Sequence, residues 1–435
     1  MARTPVAVAP VLLAVALSAC SKANLNDPII PETQGLSHVK SVAHTYHTDG
    51  GNRFVQGKGN LTSLTPVDIP LPASATWIAA VPNGLGSIWT AVLADGVVKA
   101  YKVQGQSYEE VSITPSKLAM PVPPTLVVGE DGSVKLGNVF AGASPYSAAV
   151  IVDKSTGDRA FVANNGDVVL MTSSGEQHLA VNALPYARIL LDENKRLLVL
   201  TGPTARYDHL FVLGSQFNHA SAITLIQTQP TFSVLKTISV TAPDVIEGNA
   251  LIWEDTNGDN QREIITTLAR SGDGARIVVY NEDGTERSSS AAIGFDHRWR
   301  HQIAVAPFQS PTQTSLVSTY VPHIGPNIEY FRLDDSSMTR RSLAVDYSSH
   351  LYTTLNLDMG ITGDFDNDDR VELLLVNRNT QKQLGAFEYK DNSIALKWTL
   401  PLTDTISSNV AAATLSNNSI AFGVGQGKTL RIWHP

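Results

Sequence analysis

One unit recurs along this chain: apolar strand, short polar loop, second apolar strand, turn, third strand. Its clearest copy, ALIWEDTNGDNQREIITTLARSGDGARIVVYNEDGTE from Ala250, predicts strands near 250–253, 264–268 and 276–280. The glycines of SGDG and NEDG tolerate the positive φ that tight turns need. A second copy is MGITGDFDNDDRVELLLVNRNTQKQLGAFEYKDNS, and five weaker ones follow once these two fix the register. The loop after the first strand begins near residues 82, 153, 192, 255, 307, 364 and 416, a mean spacing of about 56 residues.

A sheet of three or four short strands cannot bury its own faces, whereas seven stacked around an axis bury both faces of each. The expected fold is therefore all-β, a seven-bladed β-propeller spanning 38–435, and a β-sandwich pair would not explain the repeat. The excess length between the first two copies predicts an insertion at about 115–146 with its own hairpin. The last copy stops at its third strand, KTLRIWHP. An N-terminal strand from 38–64 is expected to complete that blade and remove an exposed edge.

Two of the seven loops are densely acidic. One carries Asp255, Asn257, Asp259 and Glu263, the other Asp364, Asp366, Asp368 and Glu372, at positions 1, 3, 5 and 9. Position 7, Gln261 or Arg370, can offer its backbone carbonyl. Alternate oxygen ligands in a tight loop suit a hard cation such as Ca²⁺. An EF-hand is excluded, because position 6 is Asn260 or Asp369 rather than glycine and position 12 is Thr266 or Leu375. The pattern resembles the FG-GAP or VCBS repeats of integrin-α-like propellers. That resemblance implies two Ca²⁺ sites with these residues as ligands, glutamate replacing the usual aspartate at the ninth position, and Asp369 as a bystander.

The N-terminus reads MARTPVAVAPVLLAVALSAC, an apolar run ending in Leu17-Ser18-Ala19-Cys20. This matches the lipobox of bacterial lipoproteins and implies a signal peptide over 1–19, diacylation of Cys20 and a polar, proline-punctuated tether over 20–37. Cys20 is the only cysteine, so a disulfide within the chain is impossible. Ser21 rather than aspartate after it points to the outer membrane, with the lipid as the sole membrane attachment. Net charge is −8 with no basic run, which argues against nucleic acid as a partner.

No nucleophile elbow, zinc-protease helix, Walker loop or dinucleotide fingerprint is present. His297 and His301, four apart in DHRWRH, read as a strand entry, and HTYH (44–47) as a surface strand. Trp253, Trp299, Trp398 and Trp433 at strand positions read as core. The expected role is thus a recognition, adhesion or scaffold module for an envelope or extracellular protein or glycan. Two alternatives stand beside it: an assembly factor of the outer-membrane barrel machinery type, and a propeller enzyme such as a polysaccharide lyase or quinoprotein. Histidine, arginine and carboxylates converging on the axis would favour the enzyme, and a channel mouth of small apolar residues would count against it.

Overall fold

The computed structural model describes Leu36 and residues 38–435 apart from 138–140, 215–216, 311–312 and 334–337. Cys20, the 1–19 segment and nearly all of the tether lie outside the described residues.

The strands form seven hydrogen-bonded sheets whose common motif is an antiparallel run of four. Unit 1 shows it plainly in Ala75–Asn83, Gly86–Leu93, Val98–Gln104 and Ser107–Val111. Its second strand is buried throughout and its fourth is largely exposed, so each run passes from interior to surface. The motif repeats as unit 3 (150–180), unit 4 (190–239), unit 5 (252–289), unit 6 (300–344) and unit 7 (361–401). Units 4 and 5 share one nine-stranded sheet, joined through the short strand Val245–Ile246.

The N-terminal region departs from expectation twice. Unit 8, Ile406–Thr414, Ile420–Gln426 and Thr429–Trp433, is completed by Val67–Pro70, antiparallel to its last strand. The missing outer strand therefore comes from just beyond the 38–64 segment expected to supply it, and Arg431 clamps it through two hydrogen bonds to Asp68, 2.7 and 2.6 Å. Val39–His44 instead pairs with Thr125–Gly129 of the insertion. With Val134–Leu136 and Ile113–Thr114 they make a further four-stranded sheet, unit 2. Among the described residues there are thus eight four-stranded units, the seven copies and the insertion.

Each unit packs on the next through apolar side chains. Val39, Val127 and Ile151 join units 2 and 3, Ile265 and Phe331 join 5 and 6, and Ile361 and Phe422 join 7 and 8. The series returns on itself, because Ala411 and Ile432 of unit 8 share a core with Ile78 and Trp89 of unit 1. Gly423 is required there: a Cβ would lie 2.6 Å from the Trp89 ring.

Residues 45–58 cross the first strands of successive units. The Leu191 N–H donates to Asp49 O (3.0 Å) and the Trp253 N–H to Gly50 O (2.8 Å). Asn52 exchanges two hydrogen bonds of 3.0 Å with the Val305 backbone, and Phe54–Lys58 runs parallel to Ile361–Asp364. The Asp-Gly-Gly sequence permits this crossing, since a Cβ on Gly51 would stand 2.4 Å from Leu251 O. The HTYH stretch is therefore not a surface strand: His44, Thr45 and Tyr46 are buried.

Candidate functional site

Both acidic loops connect the first and second strands of their units, as expected. In unit 5 the Asp255 carboxylate accepts the N–H groups of Gly258 (2.7 Å) and Asn260 (2.9 Å), which holds it below the usual carboxylate range against the effect of burial. Asn257 and Asp259 bond one another, and the Gln261 N–H donates to Asp259. Glu263 is buried and closes the loop by accepting from the N–H and hydroxyl of Thr256. Unit 7 repeats the plan. Asp364 accepts the N–H groups of Asn367, Asp368 and Asp369, the Arg370 N–H donates to Asp368, and buried Glu372 accepts the Phe365 N–H at 2.8 Å. Position 6 is left-handed in both, Asn260 at φ 64° and Asp369 at φ 65°, so Asp369 turns outward to pair with Lys58.

The loops differ in how far their oxygens converge. In unit 7, ligand oxygens of Asp364, Asp366 and Glu372 lie within 4.8 Å of one another, and Asp366 Oδ1 is buried without a hydrogen-bond partner in the protein. This donor set fits a hard cation. Among the described residues no other three acidic or histidine groups converge in this way, those of the 255–263 loop included. Lys397, which no motif in the chain marks, places its Nζ 2.8, 2.7 and 3.0 Å from Asp366, Asp368 and Glu372. Its ammonium already offsets part of the loop's negative charge. In unit 5 Arg287 stands correspondingly, 3.3 Å from Glu263.

The opposite ends of the sheets carry a cluster that sequence reading missed. Six of the eleven histidines gather there: His209 from the hairpin loop of unit 4, His219 from the strand after it, His297 and His301 from the entry to unit 6, His323 from its hairpin loop, and His350 from the entry to unit 7. Aromatic rings link them. Tyr207 contacts His209, His219 and His297 with centroids 5.7–5.8 Å apart, Trp299 stacks on His301 at 4.9 Å, and Tyr352 meets His323 at 5.1 Å. The outer surface carries exposed apolar side chains: Phe211, Phe295, Ile324 and Tyr352 are 39, 68, 66 and 49% exposed.

Hydrogen bonding fixes the state of several rings. His350 Nε2 lies 2.8 Å from the Thr354 carbonyl, which can only accept, so Nε2 carries the proton. Neutral His350 Nδ1 then accepts from His323 Nε2 at 2.8 Å, leaving a lone pair on His323 Nδ1. Burial keeps both rings neutral, lowering His350 to about 4 and His323 to about 3. His209 Nδ1 meets the buried carboxylate of Glu247 at 2.5 Å, and His297 Nε2 meets Asp208 at 2.6 Å. Glu247 Oε2, Asn249 Oδ1, Trp299 Nε1, His219 Nε2 and His301 Nε2 are buried without hydrogen-bond partners in the protein. Such atoms call for water or a bound polar group.

Beneath the cluster, Asp358 holds two buried guanidiniums. It accepts from Arg53 Nε (2.7 Å) and from Arg188 Nη1 and Nη2 (2.8 and 2.5 Å). Arg53 belongs to the crossing segment, so this triad ties the N-terminal region to the entries of units 4 and 7. Both arginines help burial to push His301 well below its ordinary value. His297 and His301 therefore share one cluster. Trp253, Trp299 and Trp433 are buried as expected, whereas Trp398 is half-buried and donates to Asp366 at 2.8 Å.

Fold and site together define an all-β protein built from four-stranded, largely antiparallel units, with acidic loops at one end of the sheets and a histidine-aromatic face at the other. No family model and no curated protein matches the chain. Among solved structures, a chain in the crystal structure of a mitotic checkpoint complex aligns at a TM-score of 0.45 and 10% identity, covering 88% of this chain and 97% of that one. No helix among the described residues is long and apolar enough to cross a membrane.

Proposed function

We propose that the eight units are blades of a β-propeller held at a bacterial envelope membrane through a lipid on Cys20, and that the histidine-aromatic face is its recognition surface. The carrying observation is the placement of Phe211, Phe295, Ile324 and Tyr352, all solvent-exposed, above buried polar atoms that lack protein partners. Aromatic and apolar anchors around desolvated polar groups are how binding surfaces obtain both affinity and specificity. The partner class is an envelope or extracellular protein or glycan. A photoreactive residue replacing Tyr352 is expected to capture that partner in intact cells, and absence of any adduct contradicts the reading.

Arginine and carboxylate do converge with histidine beneath this face, which favours a second, enzymatic reading. His323 Nδ1, with its tautomer set by His350, keeps a lone pair that can accept a hydrogen bond from a ligand. The cleft nearer units 1, 2 and 8 carries both kinds of lining, Ala43, Ala80, Ala411 and Ala413 together with His44, Thr45 and His47.

Calcium belongs to this reading at the 364–372 loop, where Asp364, Asp366, Asp368 and Glu372 would hold the ion and stiffen unit 7. Elemental analysis is expected to find bound calcium, and chelation to lower the melting temperature. No metal together with an unchanged melting temperature removes it.

A further inference from the structure

A cavity of about 500 Å³ opens between units 5 and 6, away from the acidic loops. Its buried floor is an ionic group of unequal charge. The Glu329 carboxylate accepts from Arg300 Nε (2.7 Å) and Nη2 (3.3 Å), and from Arg340 Nη1 (2.9 Å). Glu329 and Arg300 are almost fully buried, whereas the Arg340 side chain is 50% exposed. Arg300 is otherwise committed, since its Nη1 donates to the carbonyls of Ala275 and Ala291. Among the described residues, only Nη1 of the Arg340 guanidinium has a hydrogen-bond acceptor, which leaves Nε and Nη2 for a ligand.

Two guanidiniums facing one carboxylate leave a net positive charge in the cavity. A guanidinium with two free parallel N–H groups suits a carboxylate in a fork geometry. The remaining wall mixes hydrogen-bonding groups, Tyr320, Asn327 and Ser342, with the apolar surface of Met338. That mixture matches a ring bearing hydroxyls and one apolar face rather than a bare inorganic anion. We infer that this cavity binds a sugar acid, its carboxylate on Arg340 and its ring against Tyr320 and Met338. The site is separate from the histidine-aromatic face, and its occupancy does not depend on the reading given to that face.

The test is titration of the soluble protein with D-glucuronate, D-glucose and inorganic phosphate, followed by NMR or calorimetry. Saturable binding of glucuronate is expected, weakened at least tenfold for glucose and for Arg340→Met. Because Arg340 is half exposed, the variant should melt with the wild type. Arg340→Lys keeps the charge but loses the fork, and should bind with intermediate strength. The proposal is overturned if glucuronate does not bind saturably, if Arg340→Met binds it equally, or if phosphate binds as well as glucuronate.

Discussion

Replacing Asp358 by alanine will destabilise the protein by about 3–5 kcal/mol, the cost of leaving buried charges uncompensated. The side chain is 1% exposed and both its partners are buried, Arg53 at 2% and Arg188 at 9%. Neither guanidinium can reach water without dismantling its surroundings. Arg53 Nη2 is already without a hydrogen-bond partner in the protein, so the site has no spare acceptors. The loss also frees the crossing segment, because Arg53 is held otherwise by a bond of 3.3 Å to Ile303 O and by backbone pairing. Urea unfolding measures the change, and a shift below about 1 kcal/mol would mean that the triad is not buried as described.

Acidification from pH 7 to pH 5 will produce the second large loss. Burial lowers His219 and His350 to about 4 and His323 to about 3, whereas the unfolded chain titrates near 6.5. Below pH 6.5 the unfolded state therefore takes up protons that the folded state refuses. Their contribution to stability is complete above that pH and is lost as the pH falls toward 4. At pH 5 each ring should cost on the order of 1–2 kcal/mol. The measurement is the urea midpoint as a function of pH, with His350→Gln as comparison. A variant slope equal to that of the wild type would show that His350 is not held neutral.

The repeat was legible because period-two apolar runs bounded by Asp, Asn and Gly survive divergence, and the 255 and 364 loops fell where expected. Closure was legible in kind but not in residue: VDIP at 67–70 is too short to distinguish from a loop until it is seen opposite TLRIW. The insertion read only as a hairpin because its partner strand, Val39–His44, lies some eighty residues earlier in the sequence. The crossing segment has no periodicity to detect, as its hydrogen bonds go one at a time to different units.

Lys397 and the histidine face were hidden for a common reason. Lys397 follows the ligand run by twenty-five residues, and the six histidines are dispersed from 209 to 350, each unremarkable alone. Only the repeat geometry, which brings hairpin loops and strand entries of adjacent units to one end, assembles them. A count of histidines at those two positions in each copy would have been the available signal.

One end of this molecule, at units 4–7, is the recognition surface we propose. It is tested most directly by comparing photocrosslinking yields in intact cells from two sets of exposed apolar positions. Phe211, Ile324 and Tyr352 belong to the face, while Leu85, Tyr108 and Leu235 are 54, 45 and 45% exposed elsewhere. The account predicts a common adduct from the first three and none of that mass from the others. Adducts of equal yield from both sets, or only from the second, would contradict it.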